Sequence, residues 1–125
     1  MKDEAKTGLV DLRDRTRQYA NRIIKLYLAR PKSEVGYVLA KQLLRSGTSV
    51  GAHYREACRG RSNAKFISKL EVGIQELDES AYWLELLADN EVFPSARLAD
   101  LMKETNEFIA ILTTCVKKAK QGVNK

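Results

Sequence analysis

Residues 67–84 read ISKLEVGIQELDESAYWL, and the apolar positions Ile67, Leu70, Ile74, Leu77, Ala81 and Leu84 recur at alternating steps of three and four. This spacing holds one stripe of an α-helix toward a common axis, whereas a half-buried strand would alternate at every second residue. The same rhythm runs through three other segments. Leu9, Leu12, Thr16, Tyr19, Ile23 and Leu26 carry it in the first. Ala40, Leu43, Gly47, Val50, Tyr54 and Ala57 carry it in the second. Leu98, Leu101, Thr105, Phe108, Leu112 and Cys115 carry it in the last. Turn residues separate the segments: Pro31 with Ser33 as N-cap candidate, Gly60 with Ser62, and Pro94 followed by Ser95. Each break pairs a helix stopper with a hydroxyl able to accept from the free N–H groups of the next helix. The reading predicts helices over about 9–30, 34–59, 63–89 and 96–120 in one domain, 1–125. Short connections favour antiparallel neighbours, so the expected fold is all-α, an up-down-up-down four-helix bundle.

The chain has 125 residues, 44% of them hydrophobic and 30% charged, with a net charge of +6. That is enough to bury a core and matches a helical globular domain rather than a disordered one. No apolar run approaches the ~20 residues that span a bilayer, and charges flank the few apolar residues at the N-terminus, so no membrane or secretory segment is expected. Cys58 and Cys115 are too few for a disulfide scaffold. A cytoplasmic protein with reduced thiols is the expectation. The sequence pI of about 9.4 permits contact with nucleic acid.

The segment LLRSGTSVGAHYREACRGRS, residues 43–62, does not read as ordinary core. Gly47, Ser49, Gly51 and Ala52 strip large side chains from one region of the second helix. Two mid-helix glycines cost roughly 1 kcal/mol each against alanine, and close approach of another helix is what offsets them. A phosphate-binding glycine loop would need a preceding strand and a following Lys-Ser/Thr, and neither is present. His53 has no second histidine and no thiol or carboxylate cluster at ligand spacing, so it is expected to bond within a helix contact rather than to bind metal or catalyse. No catalytic residue, metal ligand or cofactor is expected anywhere in the chain. The run YWLELL spreads Tyr82, Trp83 and Leu86 around more of the third helix than one core requires, which points to a subunit interface there.

These same residues carry a resemblance. The stretch from Arg45 to Ser62, followed by YWLELL, resembles the four-helix bundle protein family, also called the 23S ribosomal RNA intervening-sequence proteins. Its members show R-S-G-T-S-V-G-A-N-Y-R-E-A-x-R-x-R-S, with Asn where this chain has His53. The resemblance implies an up-down bundle, a ring-shaped homo-oligomer that is commonly a pentamer, and no established enzymatic activity. Some relatives are encoded within insertions of large-subunit ribosomal RNA genes. A distant relative accompanies the reverse transcriptase of diversity-generating retroelements and binds nucleic acid.

An up-down topology brings residues 1–17, 53–70 and 113–125 to one end of the bundle. Together they carry a net charge of about +9, leaving about −3 for the rest. Cations favour helix C-termini, which accounts for Arg55, Arg59, Lys117, Lys118 and Lys120. It does not account for Arg61 and Lys65, placed at the positive start of the third helix. These seven residues are the candidates for contact with RNA or DNA phosphates. Two alternatives stay open: a plainly solvated basic end, and a scaffold or adaptor for a protein partner such as a reverse transcriptase.

Overall fold

The computed structural model describes residues 11–123. They form four helices: α1 (Asp11–Leu28), α2 (Glu34–Cys58), α3 (Asn63–Asp89) and α4 (Ser95–Val123). No strand occurs among the described residues. Each helix packs on the next in the chain, and α4 closes back on α1 through side chains: the Tyr19 ring meets Phe108 edge-on, and Arg15 bonds Glu104 and Glu107. The expected start of the first helix at residue 9 lies outside the described residues.

Local chemistry sets the breaks. Ser33 is extended, and its Oγ accepts from Gly36 N–H at 2.9 Å; Ser62 does the same for Lys65 at 3.1 Å. Satisfying one orphan donor in this way is worth about 1 kcal/mol per helix start. The third break works differently. Ser95 is already helical, and the Pro94 carbonyl accepts from Arg97 N–H at 2.9 Å. Helix α3 ends with Glu91 in the left-handed region, φ 56°. Glu91 N–H donates to Ala88 O and Val92 N–H to Leu87 O, a closing pattern that satisfies two terminal carbonyls.

The core follows the expected stripe on α1, α2 and α4: Leu12, Tyr19, Ile23, Leu43, Val50, Phe108 and Leu112 are all buried. Two expectations shift. On α3 the buried stripe is Leu70, Gly73, Leu77, Ser80, Leu84 and Leu87, while Ile67, Ile74 and Ala81 are half-buried at its flank. Ser80 meets Ser46 of α2, and Gly73 lies between Leu112 of α4 and His53 of α2. On α4, Val116 takes the last core position and Cys115 is half-buried beside it.

A layer of hydroxyls crosses the middle of this core. Tyr19 from α1 bonds Thr105 of α4 at 2.6 Å, and Ser46 of α2 bonds Ser80 of α3 at 2.7 Å. Burial raises the Tyr19 phenol above its ordinary pKa, with the Thr105 and Ser80 hydroxyls tempering the rise. Thr105 and Ser80 also donate to the Leu101 and Glu76 carbonyls, so the layer is satisfied and fixes the helices' relative heights.

Candidate nucleic-acid interface

The starts of α1 and α3 meet the ends of α2 and α4. Asn63 Nδ2 donates to Ala119 O at 2.6 Å, Lys120 pairs with Glu71 at 3.4 Å, and Lys69 pairs with Glu56 at 3.2 Å. The Tyr54 phenol lies beneath this end. Burial, then its hydrogen bond with Cys58 and the neighbouring Cys115, push its pKa upward. Burial likewise raises the Cys115 thiol, while Cys58 is exposed.

The candidate residues fall into two groups. Arg59, Arg61, Lys65, Lys117 and Lys118 are exposed and Arg55 half-buried, and none forms an ion pair among the described residues. Lys120 differs, being engaged by Glu71. Lys65 stands in the first turn of α3, which carries no acidic residue to offset the positive helix end. Elsewhere on the bundle some arginines are neutralised, while Arg30 and Arg97 lie over the Tyr27 and Phe93 rings without an ion pair among the described residues. Arg22 bonds Glu104 at 2.6 Å, while Arg45 bonds Glu79 and approaches Glu76 at 3.3 Å. The Glu79 carboxylate pushes the Arg45 guanidinium further up. Lys69, missed in the sequence, holds the Glu56 carboxyl below its ordinary pKa.

Of the small-residue patch, Gly47 and Gly51 face α1. A Cβ at Gly47 would come within 2.2 Å of Ile23 Cδ1, and one at Gly51 within 3.0 Å of Thr16 Oγ1. The two glycines therefore serve packing within the chain at this face. Ser49 Oγ donates to the Arg45 carbonyl at 2.7 Å, and Ala52 is exposed. His53 turns to α3, its Nε2 3.9 Å from Glu76 and its Cβ beside Gly73, while its Nδ1 is 3.5 Å from Glu56 of its own helix. On the outer side of α3, Tyr82 is 53% exposed and stacks obliquely on half-buried Trp83; Leu86 is also half-buried. Among the described residues no three His, Cys, Asp or Glu side chains gather as a metal site, and no helix is long and apolar enough to cross a membrane.

The chemistry this end offers is that of surface binding, since its exposed cations form no ion pair among the described residues. Helical bundles of this kind form a family, and this chain belongs to it. The family model of the 23S rRNA-intervening sequence proteins matches residues 10–114. Among solved structures, the chain resembles a protein of unknown function from the S23 ribosomal protein family of Bacteroides thetaiotaomicron, with 35% identity and a TM-score of 0.81. The match covers 87% of this chain and 97% of that one. No curated protein matches.

Proposed function

We propose that this is a non-catalytic, self-associating protein that binds nucleic-acid phosphates through the end formed by α2, α3 and α4. The observation carrying the reading is that Arg55, Arg59, Arg61, Lys65, Lys117 and Lys118 crowd one end without a carboxylate partner among the described residues, although the chain has carboxylates enough to neutralise arginines elsewhere. Packing cations against the positive start of α3 is unfavourable unless an anion from outside offsets it. Recognition of this kind is electrostatic, tolerant of sequence and steeply salt-dependent. Self-association would repeat the basic end around the assembly and favour long nucleic acids through multivalency.

The test is a salt titration of binding to one long RNA. Changing Arg59 and Arg61 together to Gln is expected to weaken binding and flatten the plot of log affinity against log salt by about one unit for each phosphate no longer neutralised. Helicity should stay unchanged, since both side chains are exposed. Equal binding by both proteins, or none by the wild type at low salt, would leave the basic end a solvated face.

A further inference from the structure

The charge outside the basic end is not evenly mixed. Residues 18–52 carry six Lys/Arg and one acidic residue, whereas residues 71–112 carry two and ten. Over this part of the α1–α2 hairpin the cations therefore outnumber the carboxylates, although Arg22 and Arg45 are paired with Glu104 and Glu79, and the acidic surface belongs to α3 and α4. Helical periodicity places Lys41, Thr48, Ala52, Arg55 and Arg59 on one outward stripe of α2. On α1, Arg13, Arg17, Ala20, Ile24 and Tyr27 form the facing stripe. Gly47 and Gly51 bring the two helices close, so the two stripes flank one seam, the α1–α2 groove. The groove has cations at both ends and small or apolar residues in its middle. Its carboxylates stand at its limits: Asp14, bonded to Arg17 at 3.0 Å, and Glu34 in the first turn of α2.

The upper end of the groove holds an aromatic cluster. Tyr27 and Tyr37 come from different helices, with centroids 6.4 Å apart. The Arg30 guanidinium lies 4.1 Å over the Tyr27 ring and 5.1 Å from the Tyr37 centroid. Lys41 Nζ stands 5.5 Å over the Tyr37 ring. The bond from Arg30 Nη1 to the Tyr27 carbonyl accounts for the place of the arginine at the end of α1. It does not account for Tyr37, which stands 39% exposed, its hydroxyl accepting from Lys41 Nζ at 3.4 Å. Flat π-surfaces interleaved with cations are the chemistry that takes an unpaired base and its phosphate together, and an arginine plane can itself serve as a stacking surface.

We infer that single-stranded nucleic acid lies along the α1–α2 groove, its phosphates on Arg55, Arg59 and Lys41 and an unpaired base stacked on the Tyr37–Arg30–Tyr27 cluster. The inference rests on the nucleic-acid reading above and adds to it the strand form and the face. From Tyr37 to Arg55 the groove runs roughly 27 Å at 1.5 Å per helical residue, a span of several nucleotides. A duplex has its bases stacked on each other and offers nothing to the tyrosines, so it can meet only the cations.

The experiment compares a labelled oligouridine of about 20 nucleotides, within the range of single-strand binding sites, with a duplex RNA of the same length. Wild type is set against Tyr27→Leu/Tyr37→Leu, which keeps apolar volume at the helix ends, and against Lys41→Gln. The double variant is expected to lose about tenfold affinity for oligouridine, the effect of one base stack, with an unchanged salt slope. Its duplex affinity should hold within about twofold, because every phosphate-binding cation is kept. Lys41→Gln should flatten the salt slope for oligouridine by about one unit. Equal loss on both ligands, or no loss on oligouridine, would overturn the groove while leaving the basic end standing, provided Arg59→Gln/Arg61→Gln still weakens binding. Wild type that binds neither RNA overturns both readings. Tyrosine variants that change the protein's own mass and not its oligouridine affinity would give the groove to a second copy, whose acidic α3–α4 surface is the competing occupant.

Discussion

Gly51 shows how much one absent side chain decides. Its α-carbon faces Thr16, whose own hydroxyl is committed to the Leu12 carbonyl at 2.7 Å. Thr16 is buried and cannot swing outward without breaking that bond and leaving a polar atom unsatisfied. Gly51→Leu should therefore push α1 and α2 apart, at a cost of about 1–3 kcal/mol for overpacking. Chemical denaturation followed by circular dichroism reads this directly. A midpoint equal to wild type would mean that the two helices are not in contact at this height. Gly73 makes a contrast: a Cβ there would meet Leu112 at 3.7 Å, ordinary contact distance. The first glycine was legible from the small residues around it, while the partner helix was not. The spacing of Gly47 and Gly51 announces a close approach without saying whether another helix of the same chain or of a second copy makes it.

At the scale of the helices, the rhythm of apolar residues carried the fold because all four stripes repeat in phase, and only a bundle buries four such stripes at once. What the rhythm could not give was rotation. Ile74 and Ala81 sit at regular positions but yield the core to Gly73 and Ser80, the latter bonded to the Ser46 hydroxyl opposite. The α1–α2 groove was hidden for a related reason: summing charge by bundle end mixed the basic hairpin with the acidic pair of helices. The ends of α2 and α4 also share a titration. Tyr54 and Cys115 both hold their protons more firmly in the folded chain, chiefly through burial, as Tyr19 does at mid-core. A folded-state pKa raised above the unfolded one gives stability that is complete below the unfolded value and is lost as pH rises toward the folded value. Melting temperature should thus fall as pH climbs through the thiol and phenol ranges, from about 8.5 and about 10 upward. In Cys115→Ala the first part of that fall should disappear, and an unchanged profile would assign the loss to other groups.

For the whole molecule the decisive question is what covers its apolar exterior. Val35 is 58% exposed, Val38 51% and Tyr82 53%. The pairs Gly36–Val92 and Ser46–Ser80 fix how α2 and α3 run past each other, and that register sets Val38 and Tyr82 in the same half of the bundle. With half-buried Leu86 and Trp83 they put apolar surface on the α2–α3 side of the bundle, which the exposed Arg45–Glu79 pair also spans. Exposed apolar surface on a small helical protein is most simply covered by another copy of itself. Light scattering should return a mass several times the 14.1 kDa of one chain at micromolar concentration. Tyr82→Lys with Val38→Lys should lower that mass without loss of helicity, since both side chains leave solvent only on association. Salt separates this from the other route to assembly. An interface between the basic α1–α2 hairpin and the acidic α3–α4 surface would weaken as ionic strength rises, because exposed charges are screened beyond about 8–10 Å at physiological salt. An apolar interface would hold or tighten under the same conditions. A monomer at every concentration would remove self-association from the proposed function, and with it the multivalent advantage of long nucleic acids. A salt-labile oligomer indifferent to Tyr82 would move the interface onto the charged faces and make nucleic acid and a second copy rivals for the same groove.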